Sequence, residues 1–221
     1  MYDSLLLDHD GVLVSIDDGS TLAAAARAAF RDVGVEDPAS DAVDAIDIHA
    51  TREGLRAVSD RYGVDAGRLW QARDDRVREK LLATVRDGRK VPYDDIDALD
   101  SVGVPVGVVS NNQARIVESI LDRYELARYV DTVRARAPRP ESLDRKKPRP
   151  TFLDQAMADL TVENPLYVGD SESDIAAGHR AGLDVVYIRR GHNGDRELDC
   201  EPTYEVDGLN EAVRILDRGK R

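Results

Sequence analysis

Cysteine, methionine and tryptophan are nearly missing from this chain: 221 residues hold one Cys, two Met and one Trp. With Cys200 alone there is no internal disulfide framework, which fits a reducing compartment. Nothing around Cys200 marks an activated thiol, so it reads as an ordinary tail residue. Lysine is scarce too, limited to Lys80, Lys90, Lys146, Lys147 and Lys220. The basic residues are otherwise Arg, and the formal net charge is -12. An acidic, lysine-poor surface lacks the basic footprint that phosphate backbones require, so no nucleic-acid partner is expected. The same balance resembles the surfaces of proteins from salt-loving organisms. No long apolar run and no charged-then-apolar leader is visible, so a soluble cytoplasmic protein with no membrane partner is expected.

What is present suffices for a core. At 42% hydrophobic residues the chain is not disordered by composition, and its length suits one domain or a core with an inserted subdomain. Residues Ser4 to Val14 read as a strand, a turn at Asp10-Gly11 and an apolar exit. From Ser20 to about Arg89 the apolar spacing is helical, with Gly residues closing the segments. Strand signals return in VPVGVVSNN, followed by the helix ARIVESILDRYEL and the short strand YVDTVRAR. PRPESLDRKKPRP, rich in proline and charge, reads as a loop. TFLDQAMADLTV is helical, LYVGDSESD a strand ending in acids, IAAGHRAG a helix, DVVYIRRG a strand and LNEAVRILDRG a final helix. Apolar strands alternating with helices predict a parallel sheet with right-handed crossovers. The all-helical stretch does not fit that alternation and reads as an insertion between the first and second strands.

In open parallel sheets ligands gather outside the carboxyl ends of the strands. Four groups of polar residues are expected there: Asp8 and Asp10 after the first strand; Ser110, Asn111 and Asn112 after VGVV; Lys146 and Lys147 in the loop before TFLDQAM; and Asp170, Ser171 and Asp174 after LYVG. Each alone has an ordinary explanation as a turn, a helix cap or a solvated pair. Together they place carboxylates, a hydroxyl and an ammonium along one edge. Several acids there repel unless a cation sits among them, and hard oxygen ligands suit Mg²⁺. A phosphoryl group on such a cation needs an in-line nucleophile, a role carboxylates fill. A hydroxyl, an ammonium and backbone N–H groups around Gly11 would hold the remaining phosphoryl oxygens.

The ordered set DHDGV, VVSNN, KP and GDSESD resembles the haloacid dehalogenase-like hydrolases, whose signature is DxDG[TV], a strand ending in Ser or Thr, a Lys, and GDxxxD. The resemblance covers the whole chain. It implies a Rossmann-like three-layer α/β sandwich with a parallel sheet, formed by residues 1–14 and 92–221, and an α-helical cap inserted at 15–91. It further implies a Mg²⁺-dependent phosphatase acting on a small phosphorylated metabolite through an aspartyl-phosphate, closest in pattern to phosphoglycolate phosphatases. By that resemblance Asp8 is the nucleophile and Asp10 the general acid/base. Asp8, the Asp10 carbonyl and Asp170 hold the metal with Asp174 in support, and Ser110 and Lys147 bind the phosphoryl group; Asn111 and Gly11 are further candidates beside it. Lys147 is preferred to Lys146 because KPRP matches the family's KPxP habit.

The alternatives within the family are a phosphoglucomutase-like transfer, which shares all four stations, and a 2-haloacid dehalogenase, whose branch generally lacks the second Asp. A non-catalytic binding protein on the same fold is the alternative outside enzymes. In the insertion, His49 and Arg52 are candidate substrate contacts, Trp70 is expected in its core, and Asp17 and Asp18 are expected in the linker. His9 is expected to point away from the neighbouring acids into packing.

Overall fold

The leucine run at Ser4–Leu7 forms β1, and all four residues are buried. A strand covered on both faces carries apolar side chains without alternation, the pattern of a central parallel strand. The computed structural model describes residues 1–16, 20–47 and 49–218, so Asp17 and Asp18 lie outside the described residues. The remaining strands are β2 (Val106–Gln113), β3 (Thr132–Arg136), β4 (Pro165–Gly169), β5 (Val185–Ile188) and β6 (Tyr204–Val206). They form a six-stranded sheet in the order β3-β2-β1-β4-β5-β6. The pairs β1–β2, β1–β4, β4–β5 and β5–β6 are parallel. The helices are α1 (Ser20–Asp32), α2 (Ser40–Asp44), α3 (Arg52–Tyr62), α4 (Ala66–Arg86), α5 (Ala114–Arg123), α6 (Thr151–Leu160), α7 (Glu172–Arg180) and α8 (Leu209–Arg218). This is the Rossmann-like α/β architecture with added helices that the sequence predicts. Among the described residues no helix is long and apolar enough to cross a membrane.

Strand order reverses at β1, which has β2 on one side and β4 on the other. The crevice outside the carboxyl ends of β1 and β4 is therefore the switch point where such sheets bind ligands. Register fixes what meets there. Leu7 lies level with Val168, and the Asp8 N–H donates to the Val168 carbonyl at 2.9 Å. The residues that follow each strand thus emerge side by side. Beneath them, Leu6, Val109, Tyr167, Val185 and Tyr187 share a core cluster with Phe152 and Leu153 of α6 and Ile175 of α7.

The chain divides into two compact units: Met1–Ile16, Val91–Ala135 and Lys146–Arg221 carry the sheet, and Asp17–Lys90 with Arg136–Arg145 form the second. The segment 136–145 had been expected with the sheet. Its chemistry explains why it groups with the helices. Arg136 makes a two-pronged ion pair with Asp74 of α4, at 2.7 and 2.8 Å, and both side chains are buried. Arg73 donates to the same carboxylate, and the guanidinium carbons of Arg73 and Arg136 each lie 4.9 Å from the Trp70 ring centre. Leu143, in a 3-10 turn at Pro140–Arg145, joins the core of Phe30, Ile46, Leu55, Leu69 and Trp70. Trp70 is buried, as expected.

Two other local features depart from expectation. The acids of GDSESD do not extend the strand: β4 stops at Gly169 and α7 begins at Glu172. Ser171 caps it, with its hydroxyl and the Asp174 side chain bonded reciprocally to each other's backbone. β6 has no counterpart in the sequence reading: Tyr204 and Glu205 are exposed and Val206 alone is buried. A three-residue strand with one apolar contact has no period to detect.

Candidate active site

Asp8 leaves the end of β1, and its carboxylate is drawn back by the His9 N–H at 2.7 Å. Gly11 then turns the chain at φ +84°, a conformation L side chains rarely adopt. A Cβ on Gly11 would fall 2.1 Å from Asp170 Oδ2, so glycine is also what lets the Asp170 carboxylate approach β1. Gly169 does the same for Asp174, whose Cβ would lie 2.2 Å from a side chain there. Among the described residues, Asp8, Asp170 and Asp174 each offer one oxygen, and these lie within 4.8 Å of one another.

Lys147 sits inside this group, its side chain 2% exposed. Its Nζ lies 2.8 Å from Asp8 Oδ1 and donates to Asp174 Oδ1 at 2.6 Å; the Val109 carbonyl (3.2 Å) and the Tyr167 hydroxyl (3.1 Å) complete its shell. Lys146 is only half-buried. Asp174 is saturated: beyond Lys147 it accepts from the Tyr167 hydroxyl at 2.5 Å and from Ser171 Oγ at 2.5 Å and N–H at 3.1 Å.

The electrostatics separate the three acids. Burial pushes Asp8 well above the usual carboxylate range despite Lys147, and the charges of Asp174 and Asp170 add to the rise. Burial also raises Asp170, offset only in part by its bond to His192. For Asp174 burial acts in the same sense, but Lys147, Ser171 and Tyr167 outweigh it and hold the carboxyl below its ordinary value. Burial works against the Lys147 ammonium, yet Asp174 and Asp8 leave it net raised. Among the described residues one ammonium thus faces three buried carboxyl groups, and Asp8 and Asp170, whose ionised forms burial disfavours, are left short of positive charge. That donor set of hard oxygens with a charge deficit fits a divalent cation.

The other sequence candidates fall as follows. Asp10, with a side chain 28% exposed, lies outside the carboxylate cluster and accepts from Asn112 Nδ2 at 3.1 Å. Ser110 is buried within β2, which runs on to Gln113, and its hydroxyl accepts from the Asn112 N–H at 3.1 Å. Asn111 differs from expectation: its Nδ2 donates to the Lys147 carbonyl (3.1 Å) and its Oδ1 accepts from the Lys147 N–H (2.7 Å), so both ends of the amide clamp Lys147. The Gly11 N–H also differs, because it donates to the Val14 carbonyl at 2.8 Å and closes the turn instead of facing a ligand. His9 is fully buried as expected, but its Nδ1 lies 3.3 Å from Asp10 Oδ2, not away from the acids. In the helical unit His49 is exposed, while Arg52 donates to Asp144 at 3.1 Å and lies 3.9 Å from Glu141.

Sequence reasoning missed three members of the site. Tyr167, inside β4, was hidden in an apolar run. His192 Nε2 stands 2.7 Å from Asp170 Oδ2, and Asn193 Nδ2 donates to the Asp170 carbonyl at 2.8 Å. A signal for the last two existed: GHN comes two arginines after β5 ends at Ile188, which makes it a fifth polar group near a strand's carboxyl end.

The family model for the haloacid dehalogenase-like hydrolases matches residues 5–188. The chain is 28% identical over 221 aligned residues to a phosphoglycolate phosphatase of Pseudomonas putida KT2440, covering 93% of this chain and 76% of that one. It is 30% identical to a phosphoglycolate phosphatase of Aquifex aeolicus, covering 96% of each. Further Pseudomonas relatives match over little more than half of this chain and less than half of their own length. Among solved structures, a predicted phosphatase from Clostridium acetobutylicum superimposes with a TM-score of 0.67 at 19% identity, covering 98% of this chain and 99% of that one, a likeness of fold. The chain belongs to the haloacid dehalogenase-like hydrolase family and is an enzyme of that hydrolase fold.

Proposed function

We propose that this hydrolase is a Mg²⁺-dependent, cytoplasmic phosphatase of small phosphorylated metabolites, working through an aspartyl-phosphate on Asp8. The observation that supports it most is the charge deficit of the pocket, where, among the described residues, Lys147 is the one ammonium facing Asp8, Asp170 and Asp174. Asp8, Asp170 and the Asp10 carbonyl would hold Mg²⁺, and Asp174, saturated by other donors, would support the site through Lys147. The ion supplies charge neutralisation for the phosphoryl oxygens.

The chain's own residues do the rest. An Asp8 oxygen attacks phosphorus as the ester P–O bond breaks, and Asp10 gives its proton to the departing oxygen. Asp10 then takes a proton from the water that attacks the aspartyl-phosphate, releasing phosphate and restoring Asp8. The partial exposure of Asp10 suits this traffic with solvent. Ser110 and Lys147 hold phosphoryl oxygens, and Asn111 serves by fixing the Lys147 backbone. We assign the helical unit to the family's cap, with His49 as its leaving-group contact; Arg52, paired with Asp144, is assigned to holding the 136–145 segment. A glycolate-like leaving group follows from the relatives' names and is part of the proposal.

Release of p-nitrophenol from p-nitrophenyl phosphate with Mg²⁺, abolished by EDTA and in Asp8→Asn, is the expected result. Equal release from Asp8→Asn would overturn the reading. A panel of phosphoglycolate and sugar phosphates then names the substrate.

A further inference from the structure

The loop after β5 contributes a side chain to the site that no step above uses. His192 Nε2 lies 2.7 Å from Asp170 Oδ2, with side chains 24% and 6% exposed. The loop that presents it is fixed on several sides. Asn193 Nδ2 bonds the carbonyls of Asp170 (2.8 Å) and Ile188 (3.1 Å), while its Oδ1 accepts from the Arg190 N–H at 2.6 Å. The Arg190 guanidinium pairs with both oxygens of Asp95 at 2.9 and 3.0 Å and lies over the Tyr93 ring, 4.0 Å from its centre. Arg189 Nη1 donates to the carbonyls of Asn193, Gly194 and Arg196. His192 is therefore held in place by groups other than its own partner.

We propose that His192 is a positioning residue that fixes the rotamer of the metal-binding carboxylate Asp170 and thereby sets the affinity of the site for its divalent cation. It rests on the reading of the pocket as a metal site. With one oxygen of Asp170 held by Nε2–H, and Gly11 leaving room for the same oxygen, the carboxylate has one orientation and does not swing when the cation leaves. Outer donors of this kind typically change metal affinity about 10- to 100-fold when removed. A donor at this position is what matters, not an imidazole as such, so an amide of similar reach should substitute.

The test is titration of the EDTA-stripped, dialysed protein with Mn²⁺ and Mg²⁺ by calorimetry, with no substrate present. His192→Ala should raise both dissociation constants at least about 10-fold, and His192→Gln should lie within about threefold of the parent protein. His192→Phe, which keeps the ring volume without the donor, should behave as His192→Ala and replaces it if the alanine variant does not fold. In turnover, the Mg²⁺ concentration for half-activation should rise by the same factor while kcat at saturating Mg²⁺ is recovered. A purely structural role would lower the melting temperature and leave the dissociation constants alone. Parent protein that binds metal, with Ala and Phe variants binding as tightly, overturns the assignment and leaves the metal site standing. Parent protein that binds neither ion overturns both.

Discussion

Replacing Lys147 by Met removes the one ammonium that, among the described residues, sits between the buried Asp8 and Asp174, and keeps most of the side-chain volume. The loss can be scaled from the partners. Nζ holds Asp174 at 2.6 Å and Asp8 at 2.8 Å, and its side chain is 2% exposed, so no water compensates for its removal. Breaking a buried ion pair from one side costs about 3–5 kcal/mol, because the remaining charge stays desolvated. For a chain of this size, about 1 kcal/mol moves the melting temperature by roughly 2–4 °C, so the sheet unit should melt roughly 6–20 °C lower. The deficit should also depend on pH. Burial already raises Asp8, and losing Lys147 raises it further. A carboxyl whose folded pKa is raised loses stability as pH climbs through it, so the gap should be wider at about pH 8 than at about pH 5.5. Lys147→Met combined with Asp174→Asn should recover part of the loss, since an unmatched charge goes with its partner. The assay is thermal unfolding in EDTA, followed by circular dichroism. A Lys147→Met protein within about 1 kcal/mol of the parent at both pH values would refute the account of the pocket's charge balance.

Gly11→Ala should destabilise by at least about 2 kcal/mol, from the left-handed backbone plus the collision with Asp170, and should weaken Mn²⁺ binding in calorimetry; an unchanged affinity would contradict the close approach. Asp74→Asn leaves the Arg136 and Arg73 guanidiniums without their shared carboxylate and should cost the helical unit about 3–5 kcal/mol in denaturant unfolding, with Mn²⁺ affinity unaltered. Asp3 receives the backbone N–H groups of Glu163 and Asn164, at 2.8 and 3.0 Å, and these outweigh its burial to hold the carboxyl low. Such a depressed group contributes stability above its unfolded pKa and loses it as pH falls through the folded one. Asp3→Ala should therefore melt below the parent at neutral pH, by an amount on the order of 1 kcal/mol, and the difference should shrink as pH falls below the ordinary aspartate range.

The polar groups were legible because each follows an apolar run that stops abruptly: LLLD and YVGD mark the carboxyl ends of β1 and β4, and in VVSNN the polar residues begin inside β2, which runs on to Gln113. The same rule applied to VVYIRRGHN would have found His192 and Asn193, but two arginines separate the strand from the pair and blur the edge. Side-chain assignments within a station were less legible. SNN offers three polar residues, and the sequence does not say that Asn111 turns toward the Lys147 backbone while Asn112 reaches Asp10. That choice is made by register and by the loop at Lys147, both tertiary. The place of residues 136–145 was hidden for a similar reason. A charged, proline-rich loop reads as solvated, and only the meeting of Arg136 with Asp74, 62 positions apart in sequence, shows that it is anchored.

The central claim is that the Asp8 carboxylate takes the phosphoryl group, and mass spectrometry of the acid-quenched enzyme during turnover tests it most directly. The account predicts one phosphoryl mass on the peptide carrying Asp8, formed with Mg²⁺, lost on longer incubation and absent from Asp8→Asn. Phosphate release with that peptide unmodified at every time point, and undiminished in Asp8→Asn, would contradict it.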